Sequence, residues 1–419
     1  MSTSLAAALP GIADPKALRR QLARVERRRK LRAFSLTLPL LLFLLLTFLV
    51  PIAALLERAV ENPEVVTALP RTVVVLRDWN RDGIPQAAAF AAIADDLSAL
   101  PDSSDAGALA RRLNSEVPGA RSLVMGTFRA LPLPPAPNPA AVQAQLLALD
   151  ARWGETKYWR AIAKNGSRWT PDYLLTAVDL RRAVHGGIER VAPDQRVFGR
   201  ILARTFEVSA IVTLWTLLLG YPLAYWLSTL PARRANVLMI LVLVPFWTSI
   251  LVRVAAWIVL LQSEGLVNHA LIALHVIDQP LALLFNRTGV VIAMVHILLP
   301  FMILPLYSVM KGVPPTYLRA AVSLGSSPLA AFFRVYVPQT YPGIGAGALL
   351  VFILSIGYYV TPALLGGADD QMLSYYVAQY INVTVNWGMA CALGSLLLGA
   401  TLVLYALYRR ITRSELSLG

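Results

Sequence analysis

Six uninterrupted apolar runs, each close to 20 residues or longer, limit what this chain can fold into. They are Phe34–Leu56, Ile201–Thr229, Val237–Leu261, Gly289–Met310, Gly343–Leu365 and Trp387–Tyr408. A hydrocarbon layer is crossed by about 20 apolar helical residues. Only helices and closed barrels satisfy every backbone polar group there. The runs therefore predict an all-α polytopic membrane protein with six transmembrane helices. Proline interrupts several of them (Pro222, Pro245, Pro300, Pro305, Pro362), which membrane helices tolerate better than soluble ones. More than thirty residues precede the first run and no small-residue cleavage site follows it, so it reads as a permanent anchor and not a signal peptide.

The net charge of +14 could suggest nucleic acid, but its distribution points to a membrane. Residues 1–33 hold nine Lys or Arg, including Arg27, Arg28, Arg29 and Lys30 just before the first run. Arg233 and Arg234 follow the second run, Lys311, Arg319 and Arg334 follow the fourth, and Arg409, Arg410 and Arg413 follow the sixth. The intervening loops carry little positive charge: 262–288 has Arg287 alone, and 366–386 has Asp369 and Asp370 but no Lys or Arg. This alternation is the positive-inside bias. It places both termini in the cytoplasm of a multi-pass protein of the bacterial inner membrane, with lipid as a partner and no role for nucleic acid. The basic arm reads as an orientation signal. Cys391, the single cysteine, sits in an apolar run and supports no disulfide framework.

The chain divides into a basic arm (1–33), a first span (34–56), an insertion (57–200), a five-helix core (201–410) with a cytoplasmic loop (311–341), and a tail (411–419). The insertion holds 18 basic and 16 acidic residues. Long translocated segments escape the charge rule, so it is expected outside the cell as a small domain. Arg71–Leu76 reads as a strand from its valine run. Gln86–Leu100, Ala106–Val117 and Ala140–Ala151 read as helices, and Leu131–Pro139, with five prolines, as an extended linker. The stretch Asp78–Gly83 opens like a calcium loop, yet its twelfth position is Ala89 and its eighth Pro85, so a polar turn is expected and no metal. Trp153, Trp159, Trp169, Tyr158 and Tyr173 cluster near its end and suggest packing at the membrane interface.

Signatures of catalysis are missing. None of the five lysines precedes Ser or Thr, so no phosphate-binding Gly-x-x-x-x-Gly-Lys-[Ser/Thr] loop exists. The histidines make no His-Glu-x-x-His pattern, and no Gly-x-Ser-x-Gly elbow appears. The chain carries no catalytic residues or cofactor of its own by this reading.

Between Pro314 and Pro338 a polar stretch is lodged between two apolar runs. Pro314 and Pro315 suit a first helical turn, Tyr317 to Leu324 reads as helix, and Gly325 is placed as a left-handed cap. Ser326 or Ser327 before Pro328 suits the start of a second helix. Ala320, Ala321, Gly325, Val335, Val337 and Pro338 fall on the pattern Ala-Ala, three residues, Gly, nine residues, Val-x-Val-Pro. This resembles the EAA loop of ABC-importer permeases, whose helix sits in a cleft of an ATPase subunit. Tyr317 and Arg319 belong to the same helix, with Arg319 where the family usually has glutamate, so the ion pair of that glutamate does not carry over.

The likeness extends through Gly220–Tyr225, Val244–Arg253 with Ala256 and Trp257, Gly265–Asn268, Leu299–Tyr307, Pro342–Gly345 and Leu364–Gly367. Together these resemble the permeases of the spermidine/putrescine branch, over about half the chain; the large insertion departs from its compact members. The resemblance implies a MetI-like core, a second permease (a heterodimer over a homodimer), two ATPase subunits holding ATP and Mg²⁺, and a periplasmic solute-binding protein. It also implies alternating access for a small organic solute, polyamine-type or amino-acid-like. Gly220–Pro222 and Pro300–Pro305 are candidate flexible points.

Polar and aromatic residues in the runs nominate a translocation path of Trp247, Thr248, Ser249, Arg253, Trp257, Tyr358 and Tyr359. Arg204 and Glu207 are expected to pair with each other, and Arg253 to snorkel. Carboxylates are scarce in the runs, which weighs against a polycation. A membrane sensor would need an output domain after the last span, where eleven residues follow Tyr408. A secondary transporter would leave 314–338 without a purpose.

Overall fold

The computed structural model describes residues 15–183 and 187–416. The start of the basic arm, His185 and the end of the tail lie outside the described residues. The first span is a helical unit of its own, ending at Glu57. It runs from Pro15–Leu44 through a π-helical turn at Leu45–Leu49 into Val50–Arg58.

The insertion is a helical domain of eight short helices, from Pro63–Ala68 to Asp172–Ala177, and a two-stranded antiparallel hairpin (Leu180–Arg182 with Ile188–Arg190). Its entry and exit are tied together: Asn62 N–H donates to the Arg168 carbonyl at 2.7 Å and Thr170 N–H to that of Val60 at 2.8 Å. Above this seam lies a buried polar network. Arg112 donates to Asn62 Oδ1 at 2.7 Å, to Asn165 Oδ1 at 2.6 Å and to Glu116 at 3.1 Å. Its guanidinium also lies 4.9 Å from the centre of the Tyr173 ring. Burial pushes the Tyr173 phenol up to about 12.

Two expectations for the insertion fail here, for physical reasons. Arg71–Leu76 is helical (Pro70–Val75, then a 3₁₀ turn at Leu76–Asp78) and not a strand. Pro70 occupies the first helical position, and the Asp96 carboxylate accepts the free N–H groups of Arg71 and Thr72 at 3.3 and 2.8 Å. That anion at the helix start outweighs the modest helix penalty of the valines. Trp153 and Trp159 are fully buried in the insertion's own core and not spread at an interface. Trp153 Nε1 donates to Thr127 Oγ1 at 2.9 Å and Trp159 Nε1 to the Trp153 carbonyl at 2.8 Å, so burial leaves neither indole N–H unpaired. Asn80 Oδ1 accepts the Asp82 N–H at 3.1 Å, which makes Asp78–Gly83 a polar turn. Among the described residues no three His, Cys, Asp or Glu gather into a metal site.

The core is built around the helix Arg287–Gly312, which buries Val290, Met294, Leu298 and Met302. Helices Phe198–Thr229 and Tyr341–Gly357 flank it. Gly220 and Gly347 face Met302, where an added Cβ would meet its side chain at 3.1 and 2.8 Å. Small residues allow such close helix approach in a bilayer, where dispersion and not water exclusion drives packing. The insertion joins this core through Ala59, Tyr173, Ala177, Ile201, Met389 and Leu393, with Gly388 directly beneath the Tyr173 ring.

Among the described residues five helices are long and apolar enough to cross a membrane, or six if the bent pair Pro328–Gln339 and Tyr341–Gly357 forms one span. The expected third span, Val237–Leu261, is not one helix. It runs as Ala232–Leu243, turns at Val244–Trp247, passes through extended Thr248 and Ser249, and restarts as Ile250–Leu261. Pro245 removes a backbone donor at the break, and Thr248 turns its hydroxyl onto the Pro245 carbonyl at 2.7 Å. The expected fifth span, Gly343–Leu365, ends at Gly357; extended Tyr358 separates it from Val360–Leu365. By contrast the proposed flexible points, Pro222, Pro300 and Pro305, lie inside unbroken helices.

Arg112→Ala should destabilise the insertion by about 1–3 kcal/mol, because it leaves the buried Asn62 Oδ1 without a donor, while Asn165 Oδ1 keeps Asn62 Nδ2 and Glu116 keeps Lys164; protease sensitivity of the purified protein against temperature reads this. The hydrogen bonds from Arg152 hold the Asp150 carboxyl below its usual range. That stability is present above the unfolded pKa of about 4 and is lost as pH falls through the folded one. Asp150→Asn should flatten the acid limb of the same assay.

Candidate functional site

Two features stand out at opposite ends and depths of the core. The first is the helix Thr316–Ser323, which follows the central helix at its Gly312 end. It closes with paired C-terminal bonds: Gly325 N–H to the Val322 carbonyl at 3.0 Å and Ser326 N–H to that of Ala321 at 3.1 Å. This Schellman closure needs a left-handed residue, and Gly325 has φ +94°. An added Cβ there would meet nothing within 4 Å, so the demand for glycine is one of backbone angle alone. Ser327 Oγ accepts the Ala330 N–H at 3.3 Å and starts the next turn, Pro328–Ala331.

The outer ridge of this segment is apolar and uncovered. Leu324 is 89% and Leu329 73% exposed, and Tyr317, Val322 and Phe333 are exposed beside them. Arg319 and Ala320 share that exposure, while Ala321, Val335, Val337 and Pro338 are half-buried. The root of the segment is held by aromatic packing. Phe332 stacks on Tyr336 at 5.5 Å, and Tyr225 meets both edge-on at 5.1 and 5.2 Å. The Tyr221 hydroxyl lies 3.0 Å from Thr340 Oγ1. Lys311 Nζ donates to the Ser228 and Leu230 carbonyls at 3.1 and 3.0 Å and so closes the C-terminus of the 198–229 helix. Sequence reasoning missed this clamp, although tyrosines at 221 and 225 and aromatics at 332 and 336 share the i, i+4 spacing of one helix face.

The second feature is the pair of helix breaks at 248–249 and 358–359. Non-helical backbone at membrane depth persists where it is buried in protein or lines a wet cavity. Arg253 and Trp257 lie just beyond the first break, and Tyr358 is the second. Trp257 Nε1 donates to His296 Nδ1 at 3.2 Å, so that nitrogen is an acceptor. The structure thus pairs Trp257 with His296, which was not nominated from sequence. Trp247, Thr248, Ser249 and Tyr359 are exposed instead. Arg253 is half-buried, and its Nε has no hydrogen-bond partner among the described residues; the same holds for buried Ser355 Oγ and Thr361 Oγ1, which bracket the second break.

Arg204 and Glu207 do not pair with each other. Arg204 donates to the Gln371 carbonyl at 3.2 Å. Glu207 pairs with Arg287 at 2.8 Å, and Arg287 also reaches Asp370 at 3.4 Å. These partners come from three segments, so spacing along one helix could not reveal them.

The core is thus a helical membrane fold, with broken helices around a buried central one and an exposed apolar ridge at 317–333. Residues 217–415 match the family described as "Binding-protein-dependent transport system inner membrane component". The spermidine/putrescine transport system permease protein PotB of Escherichia coli (strain K12) is 34% identical over 226 residues, 53% of this chain and 82% of that protein. The protein of that name from Salmonella typhimurium (strain SL1344) is 34% identical over 225 residues, 53% of this chain and 78% of that protein. Among solved structures, a chain of a bacterial alginate ABC transporter, in complex with alginate pentasaccharide-bound periplasmic protein, is 16% identical. It covers 53% of this chain and 80% of that one with a TM-score of 0.44. The chain belongs to the inner-membrane permease subunits of ABC importers. The insertion lies outside the matched residues.

Arg287→Gln should lower the melting temperature of the detergent-solubilised protein more than Glu207→Gln does. Asp370 is 12% exposed and loses its partner, at a cost of about 1–3 kcal/mol, whereas Glu207 is 53% exposed and stays hydrated.

Proposed function

We propose that this chain forms half of the translocation path of an ATP-driven importer, beside a second, non-identical permease and above two ATPase subunits that hold ATP and Mg²⁺. The observation that carries this reading is the uncovered ridge around Tyr317, Val322, Leu324 and Leu329, on a segment whose helix is capped at Gly325. Exposed apolar surface of this kind marks a partner site. A rigid cap at Gly325 and an aromatic root at Phe332 and Tyr336 let the segment move as one body, so that closure of the ATPases tilts the helices behind it. The positive-inside bias supports a cytoplasmic position for this segment and for both termini, and an exterior one for the insertion. A periplasmic solute-binding protein would deliver the cargo.

The relatives named for spermidine and putrescine support a polyamine-type cargo. A second reading, an amino-acid-like cargo, is favoured by the charges at the helix breaks. In the apolar helices between Phe198 and Tyr408 Glu207 is the one carboxylate, and it is paired with Arg287. Arg253, at the first break, has no carboxylate partner among the described residues. A carboxylate on the solute suits that site better than an ammonium.

Gly325→Val tests the lever. A β-branched residue resists the left-handed cap by roughly 1–2 kcal/mol. The assembled transporter in proteoliposomes should keep hydrolysing ATP while accumulating much less labelled spermidine, or labelled amino acid, per ATP. Unchanged accumulation per ATP would contradict the reading.

A further inference from the structure

The insertion returns to the core through the short helix Asp172–Ala177, and what this helix packs against sets its depth. Its Tyr173 and Ala177 share a buried cluster with Met389, Ala392 and Leu393, and Gly388 lies against the Tyr173 ring. These partners belong to the first two turns of the apolar stretch Trp387–Arg410, which has 24 residues and is about 36 Å long. The hydrocarbon core of a bilayer is about 30 Å thick. With Arg409 and Arg410 closing the far end of that stretch, its first two turns lie at one boundary of the membrane. Helix Asp172–Ala177 therefore packs at the level of the headgroups and the first acyl carbons.

Its other face is uncovered. Leu174 and Val178, one turn apart, are exposed, and so is Val197. Val197 is held beside them: its N–H, with those of Phe198 and Gly199, donates to the Asp179 carboxylate at 3.1, 3.0 and 2.7 Å. An anion so placed is satisfied by the start of the 198–229 helix. Trp169 and Ile188, on the neighbouring segments, are exposed as well. Of the aromatic cluster whose sequence suggested a membrane interface, Trp153 and Trp159 went into the domain core and Trp169 stayed outside.

The polar rim of this face carries spare positive charge. Residues 168–200 hold six arginines and four carboxylates. Asp172 pairs with Arg182 and Glu189 with Arg181, and Asp179 is the helix cap. Arg168 pairs with Glu61 and lies 5.7 Å from the centre of the Trp169 ring. That leaves Arg190, Arg196 and Arg200 against Asp194 alone. Apolar side chains edged by tryptophan and arginine are the composition of a segment lying in a membrane interface.

We infer that residues 169–197 form an interfacial foot, with Leu174, Val178 and Val197 inserted among the lipids of the leaflet that the proposed topology makes the outer one. The foot fixes the height at which the insertion, which lies outside the family match, stands on the bilayer. The inference rests on the reading of residues 387–410 as a membrane span and uses neither the ATPase nor the cargo.

The test places Leu174→Cys and Val178→Cys, each in a Cys391→Ser background and carrying a nitroxide, in the complete transporter in lipid nanodiscs. Electron paramagnetic resonance compares collisions with oxygen, which concentrates in lipid, against collisions with a water-soluble nickel chelate. The oxygen-to-nickel ratio should exceed unity at both positions, as at Val403→Cys in the last span. Lipid brominated at the headgroup end of its acyl chains gives a second reading without a label. The quenched fraction of tryptophan fluorescence should be lower in Trp169→Phe than in the wild type.

A ratio below unity at either labelled position would place the face in water and overturn the foot. Weak collision with both reagents would show that another protein chain covers the face, and would overturn it too, as would an unchanged quenched fraction in Trp169→Phe. All three results leave the importer reading intact. A ratio below unity at Val403→Cys would overturn the span assignment and the foot together.

Discussion

A hydrocarbon layer offers no hydrogen-bond partner to a backbone amide, and the core of this protein is organised by that fact. Where the chain can stay helical it does, even across Pro222, Pro300 and Pro305. Where it departs from helix, at Thr248–Ser249 and Tyr358–Tyr359, polar side chains cover part of the gap. Thr248 bonds the Pro245 carbonyl and Ser374 bonds the Tyr358 carbonyl at 2.6 Å. Of the buried core side-chain atoms without a partner among the described residues, Arg253 Nε, Ser355 Oγ and Thr361 Oγ1 lie near those breaks, and Ser209 Oγ and Gln371 Oε1 lie elsewhere. The rest of the core reads as support for two weak points in otherwise continuous helices. Glycines let the flanking helices press against Met302 of the central helix.

The insertion solves a different problem by ordinary means. It is a helical domain with its own buried core, and its two ends meet. The seam of Asn62 with Arg168 and Val60 with Thr170 brings them together, and the Arg58 guanidinium, with that of Arg168, holds the Glu61 carboxyl there below its usual range. Arg112 then links the entry, the middle and the exit of the domain through side chains alone. A buried cation is costly unless paired, so the network makes one arrangement of these segments strongly preferred.

Much of this was legible in the amino-acid sequence, and the failures have a pattern. Apolar runs mark where membrane helices fall, because length and hydropathy are local quantities. They could not show the breaks inside Val237–Leu261 and Gly343–Leu365, since Thr248, Ser249, Tyr358 and Tyr359 do not lower the apolar average enough to register. The Gly325 cap was readable because its cause is a backbone angle set within a few residues. The strand expected at Arg71–Leu76 was lost to Asp96, twenty-four residues away, and the Arg204–Glu207 pair to Arg287 and Gln371. His296 gave no signal of its own; its role at the first break depends on Trp257 from another helix.

We propose that the ridge between Thr316 and Phe333 is the seat of a separate ATPase. Its most direct test is to tag the chain, solubilise the membrane mildly and identify what purifies with it, for the wild type and for Leu324→Asp. The account predicts an ATPase and a second permease with the wild type, and loss of the ATPase alone with the variant. A chain recovered by itself, stable and transporting in vesicles without ATP, would contradict it.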